Sequence, residues 1–405
     1  MASEGIEMDQ TLAQRLLVEG ATLVVLNVPS DTEFGIDLKS WNTGDNFKGI
    51  KMIPPGFHYV HYSAIDEFGE TAPKIGFLHT FEKSEFLVRR WNPKEEDLSP
   101  EAVEEETVER LKDNLKDLDR FLGCYPYDIW KQWKELINHI SPSLVERCSP
   151  ICGFVRSALE LEHCSDATRP RGGESNPKKK RRSGITMEEK EDELLPDMKP
   201  RPGTELRLSK LPDKNYPDGA SPTEVTKHFL DSSYALDTFL NKLTVWVLKC
   251  IGLHMFKVDL LFCVIIFSFS PMEIIGEVQL AFICFLVGQS LDAFEHWKKL
   301  VSLICGADCA ISQRRAIYIE FMKTLEIQLI HVPEDILCDI VVNNNFIYSS
   351  LRKLFANIEA NSELDGRLKS YTSRFCERLS TKFAWDFSNL QEEAEDDAPI
   401  VVSLK

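Results

Sequence analysis

The feature that most constrains the fold of this chain is a change of hydrophobic pattern part of the way along the sequence. Short apolar and β-branched runs separated by turn residues come first, at Thr22–Val28, Phe57–Tyr62, Ile75–Phe81 and Glu85–Trp91. Runs of this length and spacing are typical of an antiparallel sandwich or barrel. A short helix is predicted before them, over Gln10–Glu19.

The later part of the sequence has helical spacing instead. Ser221 can cap a helix and Glu224 can reach back to the cap amide, which is a strong helix start. Helices are predicted at about Pro222–Lys242, Glu273–Val287, Leu291–Ile304, Ile311–Ile330, Pro333–Val341, Phe346–Glu359 and Leu364–Lys382. This part is therefore expected to be all-α, with helix packed on helix.

Two helices are predicted between these regions. The first is acidic and has apolar residues at helical spacing from Val103 to Leu122, which favours a solvated helix face. The second covers about Tyr127–Ile140 and carries Trp130 and Trp133.

The pattern predicts an α+β protein of two domains. Residues 1–162 form a β-rich, sandwich-like N-terminal domain followed by the acidic and Trp-containing helices. Residues 163–211, rich in Pro, Gly, Ser and charge, form a flexible linker. Residues 212–387 form the all-α domain, and residues 388–405 form an acidic tail with a strand-forming end.

Composition restricts the class of partner and the compartment. The 405 residues carry 64 acidic and 47 basic side chains, for a formal charge of −17. Such a field repels phosphate backbones, so protein partners are expected and direct nucleic-acid binding is not. The 11 cysteines are an odd number that fits free thiols in a reducing compartment. The acidic first residues do not resemble a secretory signal, so the chain is expected in the nucleus and cytoplasm.

No motif of a nucleotide-binding or catalytic site occurs, and no catalytic residue, cofactor or metal is predicted. Cys148 and Cys152 are too loosely spaced for a structural zinc site without a second ligand pair, as are Cys305 and Cys309. His58 and His61 fall on opposite faces of a predicted strand, so they are not expected to share a metal. A spatial Ser-His-Asp triad stays open, because sequence does not reveal one.

The linker holds the only dense basic cluster, made of Lys178, Lys179, Lys180, Arg181 and Arg182. Three interpretations stay open: a solvated charge run, a nuclear-import signal, and a phosphate-binding patch. Ser183 follows the cations directly, which makes it a candidate phosphorylation site whose charge would partly neutralise the cluster.

An unusual apolar stretch covers Leu243–Ser270. Lys249, Lys257 and Asp259 interrupt it, and a membrane-spanning helix needs about 20 apolar residues. The alternatives are a buried core segment, an insertion and, least favoured, a membrane span.

Several long strings in order resemble one family. They cover Glu19–Trp41, Gly49–Ser63, Arg120–Tyr127, Met198–Leu211, Ser221–Leu236, Ile275–Leu300 and Thr381–Phe387. Together they resemble the Aar-two splicing-factor family, also called the A1-cistron splicing factors, over most of the chain. One departure is that roughly twenty extra apolar residues separate the helix ending at Asn241-Lys242 from the next, so residues 243–270 are interpreted as a probable insertion.

The resemblance implies a non-enzymatic assembly factor of the U-five small nuclear ribonucleoprotein (snRNP). It implies a β-rich domain joined to a VHS-like helical domain. It implies that the protein binds the scaffold protein Prp-eight, through the RNase H-like and Jab/MPN domains of that scaffold. It also implies that binding keeps the Brr-two helicase and RNA off the scaffold until the particle matures. The family has no known catalytic residues.

The tail is the predicted partner-binding segment. Ile400, Val401, Val402 and Leu404 have strand propensity and no local partner, so a sheet edge on the scaffold could accept them as an added strand. The alternative function is that of a cytosolic VHS-type trafficking adaptor that binds peptide signals, although the negative charge disfavours anionic membranes.

Overall fold

The computed structural model describes residues 10–65, 68–163, 198–250, 272–333, 346–362, 364, 366–388 and 390. Within them, two β-sheets are followed by packed helices, so the predicted two-domain α+β architecture is confirmed. The likeness to VHS domains and the domain boundaries stay predictions. Outside the described residues lie residues 334–341 of one predicted helix, the basic cluster Lys178–Arg182, Ser183, and the tail residues Ile400, Val401, Val402 and Leu404.

Two five-stranded sheets form the N-terminal domain. Their strands are β1 Ala21–Leu26, β2 Glu33–Ile36, β3 Lys39–Asn42, β4 Gly49–Ile53, β5 Gly56–Ser63, β6 Ile75–Phe81, β7 Phe86–Asn92, β8 Asp97–Leu98, β9 Leu122–Cys124 and β10 Val155–Arg156. One sheet has the order β8-β7-β1-β4-β9 and the other has the order β10-β6-β5-β2-β3. The second sheet is antiparallel throughout, but β1 pairs in parallel with β7 and β4 in parallel with β9. The expectation of a purely antiparallel sandwich was therefore wrong for the first sheet.

Strand β5 lies between the first sheet and the helices. Its residues alternate in direction, as they must in a strand. Val60 and Tyr62 belong to the core shared with the first sheet, whereas Phe57 and Tyr59 belong to the core shared with the helical domain. The burial of both faces explains why β5 is almost continuously apolar and aromatic.

Helix α1 covers Gln10–Glu19, as predicted. The later helices near the β-domain are α2 Glu105–Asp113, α3 Leu115–Leu118, α4 Trp130–Ile137 and α5 Pro142–Cys148. The two helices predicted in this region are shorter than expected, and α5 was not predicted. The continuous helix predicted up to Leu122 breaks at Asn114, which has φ −98° and ψ 20°. Leu122 lies in β9 instead, because it pairs with Gly49 of β4. The prediction of a solvated face holds for α2, none of whose residues is buried.

The helical domain contains α6 Pro222–Leu230, α7 Ser233–Cys250, α8 Glu273–Leu286, α9 Leu291–Cys305, α10 Asp308–Gln313, α11 Arg315–His331, α12 Phe346–Ala360 and α13 Gly366–Phe383. Two predicted helices are each split in two. Asp231 is extended (φ −123°, ψ 111°) and ends α6, while its carboxylate accepts hydrogen bonds from the amide and hydroxyl of Ser233. Arg314 (φ −123°, ψ 39°) separates α10 from α11, and its guanidinium pairs with Asp237.

The helix start predicted at Ser221 is confirmed as a full capping box with Glu224. The predicted helix end at Lys242 was too early, because α7 continues to Cys250. Leu243 is only 3% exposed and belongs to the domain core. The first turns of the predicted insertion therefore continue a helix of the domain, and residues 251–271 lie outside the described residues.

Candidate functional site: the domain junction and the anchor of the C-terminal tail

The β-rich and helical domains meet around one buried carboxylate, Glu277 of α8, whose side chain is fully buried. Its oxygens accept hydrogen bonds from Arg147 Nη2 at 2.8 Å and from His296 Nε2 at 3.0 Å. They also accept from the amide of Ser209 at 2.7 Å and from its hydroxyl at 2.8 Å. Glu277 thereby joins α5 of the first domain, the segment before α6, and α9 of the helical domain.

The electrostatics of this cluster favour the ionised carboxylate. Burial alone raises the pKa of Glu277, but the hydrogen bond from His296 and the positive charge of Arg147 outweigh burial and lower its pKa to about 2. A buried charge is tolerable only when it is paired and hydrogen-bonded, as Glu277 is. Removing this one group would take from Arg147 and His296 the carboxylate that both contact.

Helix α8 also approaches the first domain very closely. A Cβ atom at Gly276 would lie 2.4 Å from the carbonyl oxygen of His139, so only glycine fits there. One turn along, Gln279 accepts a hydrogen bond from the amide of His139 at 2.8 Å and donates one to Asn138 at 2.6 Å. The two domains are thus held together by specific polar contacts as well as by the shared core.

The described parts of the predicted linker make specific contacts with the β-domain and with α5. Leu161–His163 pairs antiparallel with Met198–Pro200, and Arg201 pairs with Glu160 at 2.9 Å. Residues 201–211 then pack on α5, with Arg207 donating to the carbonyl oxygens of Glu146 and Ser149. The two ends of the segment that carries the basic cluster therefore lie side by side on the β-domain, and residues 201–221 make the connection between the domains.

The predicted tail strand starts from an aromatic anchor on α12. After α13 ends at Phe383, the chain turns back and Phe387 becomes buried at 8% exposure. The ring of Phe387 lies 5.0 Å from that of Phe355 and 5.3 Å from that of Tyr348. The neighbouring Trp385 stacks on Phe383 at 4.9 Å. We call Phe383, Trp385 and Phe387, with Tyr348 and Phe355 of α12, the tail anchor.

Polar contacts fix the backbone of the same segment. Tyr348 donates its hydroxyl to the carbonyl oxygen of Asp386. Arg352 donates to the carbonyl oxygens of Asp386 at 3.2 Å and Ser388 at 3.3 Å. These bonds satisfy backbone groups that belong to no helix or strand. The segment is therefore held by hydrogen bonds as well as by apolar contacts.

The tail leaves the domain beside a cavity of about 270 Å³ between α12 and α13. Leu390, Phe355, Ile358 and Cys376 contribute to its lining. About ten residues separate Leu390 from Ile400, and an extended chain spans about 3.3–3.6 Å per residue. The predicted tail strand can therefore reach roughly 35 Å from a fixed point on the helical domain.

Sequence reasoning missed this anchor, although a signal was present. Phe383, Trp385 and Phe387 alternate with the small residues Ala384 and Asp386 just past a predicted helix end. Period-two spacing of large rings indicates an extended segment with one face packed. The string was used only for the family resemblance, and the surface that receives it, on α12, is distant in sequence.

His58 and His61 make structural contacts with Asp37 inside the β-domain. His58 Nδ1 lies 2.7 Å from Asp37 Oδ2, and both side chains are fully buried. Tyr125 donates to the same carboxylate at 2.6 Å. His61 points from the other face of β5, as predicted, and its Nε2 lies 3.3 Å from the carbonyl oxygen of Asp37. Both side chains of the pair His58 and Asp37 are fully buried, so neither is exposed at the surface.

Within the described part of the chain, no group of three or more His, Cys, Asp or Glu side chains is arranged to hold a metal ion. Among the same residues, no helix combines the length and the hydropathy that crossing a membrane requires.

The chain is similar to known proteins along almost its whole length. Residues 19–150 match the model of the AAR2 N-terminal domain, and residues 208–388 match that of the AAR2 C-terminal repeat region. It is 40% identical over 409 residues to Protein AAR2 homolog of Homo sapiens, covering 98% of this chain and 97% of the human protein. Identity to the Mus musculus homolog is 38% over the same length. The Caenorhabditis elegans homolog is 32% identical over 382 residues, covering 91% of this chain and 95% of its own length. The chain belongs to the AAR2 family.

Proposed function

We propose that this protein is a non-enzymatic pre-mRNA splicing factor that assists assembly of the U-five snRNP. Membership in the AAR2 family, which is not known as an enzyme family, supports a splicing-related role. The buried position of the His58 and Asp37 pair supports a binding function over a catalytic one. The partner is the scaffold protein Prp-eight, which is engaged through its RNase H-like and Jab/MPN domains.

The tail anchor is the observation that carries this proposal. A strand that adds to a partner's sheet gains backbone hydrogen bonds, each contributing about 0.5–1.5 kcal/mol net. Ordering the same residues costs about 1–2 kcal/mol each, so the free tail binds weakly. Because the tail is covalently joined to the helical domain, its binding is an intramolecular step once that domain has docked, and packing of Phe387 shortens the free tether.

Charge supports the second part of the proposed role, which is to hold RNA and the helicase off the scaffold. A chain of net charge −17 complements the basic surface of an RNA-binding protein. While bound, it excludes RNA by covering that surface and by repelling phosphates.

Removal of Pro399–Lys405 tests the proposal. We expect the affinity for an isolated RNase H-like plus Jab/MPN pair, measured by calorimetry, to fall about tenfold to a thousandfold. Removal of Lys405 alone is the matched control and leaves the apolar strand residues in place. An affinity unchanged within about twofold, a change of only about 0.4 kcal/mol, would move the interface onto the helices.

The alternative function is that of a VHS-type trafficking adaptor. Affinity purification from nuclear and cytosolic extracts, followed by mass spectrometry, separates the two functions. The scaffold and other U-five proteins are expected from nuclear extract. Clathrin or sorting-signal cargo from cytosolic extract would support the adaptor instead.

For localisation, we propose entry into the nucleus through Lys178–Arg182, with return to the cytoplasm. The supporting observation is that the segment carrying the cluster starts and ends at one ladder on the β-domain. Changing all five cations to Ala is expected to shift the protein to the cytoplasm in imaging, and Ser183→Ala tests the candidate phosphorylation site. An unchanged nuclear signal would leave the cluster as a solvated charge run or indicate import by a partner.

A further inference from the structure

Helix α6 (Pro222–Leu230) presents an apolar face that the rest of the described chain does not cover. None of its nine residues is buried. Phe229 is 63% exposed and Leu230 is 71% exposed, and Tyr234, at the start of α7, is 36% exposed. Single exposed apolar residues are common, whereas a cluster of large ones favours an interaction site.

This helix is well formed and firmly attached, so the exposure does not result from fraying. Its first turn is closed by the capping box between Ser221 and Glu224. At its other end, the carbonyl oxygen of Leu230 accepts a hydrogen bond from Lys353 Nζ at 3.1 Å. The ring of Tyr216 lies 6.3 Å from that of Phe229, which adds an aromatic group to the same face. Preordered aromatic side chains are the groups that dominate the energy of protein interfaces.

The position of this face ties it to the tail. Lys353, which holds the end of α6, lies on α12. The next residue toward the N-terminus, Arg352, holds the base of the tail through the carbonyl oxygens of Asp386 and Ser388. Two adjacent side chains of one helix thus attach the exposed face and the tail anchor, so both are fixed to α12.

We infer that the protein that accepts the tail strand also covers Phe229 and Leu230, with an apolar groove next to the accepting sheet edge. Val225 and Phe229 are four residues apart and therefore share a side of the helix, as in helices that lie in such grooves. This inference rests on the proposed function. A second copy of the chain is a poor occupant, because two molecules of net charge −17 repel each other, whereas a basic scaffold attracts this charge.

The test uses the full chain and the isolated RNase H-like plus Jab/MPN pair. Phe229→Ser combined with Leu230→Ser is expected to weaken binding about tenfold or more, because a hot-spot side chain contributes at least that factor. Ile151→Ser is the matched control, since Ile151 is a single exposed apolar residue of the other domain, 75% exposed. It is expected to leave the affinity unchanged. Leu230→Ser alone serves as a second variant if thermal unfolding shows that the double variant is less stable.

Each outcome decides one question. If the unaltered chain binds the pair, tail removal weakens binding and the α6 variants do not, the inference is wrong while the proposed function stands. If the unaltered chain does not bind the pair, the proposed function fails first. If light scattering shows that the unaltered chain is a dimer and the α6 variants are monomers, a second copy occupies the face and the inference is overturned.

Discussion

Two irregular segments pack on helices of this protein, and they are held in opposite ways. The segment around Ser209 is fixed by a buried charge cluster at Glu277, between Arg147 and His296. The segment around Phe387 is fixed by aromatic rings at the edge of the helical domain and by hydrogen bonds to its backbone. The first lies between two domains, whereas the second lies beside the exit of the tail.

The two segments therefore differ in role: the one around Ser209 stabilises the fold, and the one around Phe387 positions the tail. Loss of the buried anion leaves other buried charges uncompensated, so the cost falls on the whole fold. Loss of a ring contact at the edge can be limited by local release of the segment, so the cost falls on the position of the tail. The junction therefore determines whether the protein is folded, and the tail anchor determines where the tail starts.

The largest effect is expected at the junction. Glu277→Ala should lower the free energy of unfolding by about 3–5 kcal/mol, because it removes one partner from a buried ionic cluster. Urea unfolding followed by circular dichroism measures this change. Glu295→Ala is the control: its side chain is 56% exposed, its ion pair with Lys298 is at the surface, and such pairs contribute about 0–1 kcal/mol. A loss of less than about 1 kcal/mol for Glu277→Ala would contradict the role of the cluster.

The second largest effect is expected from acid, which should weaken the junction. The pKa of Glu277 is lowered from 4.5 to about 2, so its contribution to stability is complete above about pH 5 and is lost as the pH falls toward 2. Glu277→Gln removes this titration. The difference in unfolding midpoint between the two chains should therefore shrink steadily between pH 5 and pH 2. A constant difference over this range would show that the carboxylate gains no stability from ionisation.

A smaller effect is expected at the tail anchor. Phe387→Ala should leave the urea midpoint of the domain nearly unchanged while raising hydrogen exchange at residues 384–390, because the segment can detach locally. Phe387→Leu is the control that keeps an apolar side chain at this position. A global loss of about 3–5 kcal/mol, which is typical of a Phe removed from a core, would make Phe387 part of the fold instead.

The smallest effect is expected for the apolar segment after α7. Deleting residues 251–270 and inserting a short polar linker should preserve cooperative thermal unfolding and partner binding. Deletion of 243–270 is the informative contrast, because it also removes Leu243, which is buried in the core. Equal losses for both deletions would show that residues 251–270 belong to the domain core.

The periodic parts of the fold could be predicted from the sequence, and the breaks could not. Strand β6 and helix α1 were predicted at their observed bounds because their apolar residues have a clear period. The breaks at Asp231 and Arg314 were missed because they depend on side-chain contacts, with Ser233 and Asp237 respectively. Leu122 fitted a helical period but joined a sheet, since pairing with Gly49 overrides local propensity.

The candidate site was less predictable than the fold. Glu277 gives no signal in the sequence, because its partners Arg147, Ser209 and His296 come from three distant places. The tail residues Ile400, Val401, Val402 and Leu404 were identified from strand propensity without a local partner, and they stay a prediction. The pattern could not show that the chain before them is anchored at Phe387, because tertiary packing determines that position.

A double-mutant cycle between the anchor and the tail tests most directly whether the anchor serves to present the tail. The four chains have Phe or Ala at position 387, each with and without residues Pro399–Lys405. Calorimetry would give the affinity of each chain for the RNase H-like plus Jab/MPN pair. Phe387→Ala is expected to weaken binding about twofold when the tail is intact, because the longer free tether lowers the effective concentration, and to have no effect once Pro399–Lys405 is removed. The same weakening with and without the tail would contradict this role and would place Phe387 in an interface of its own.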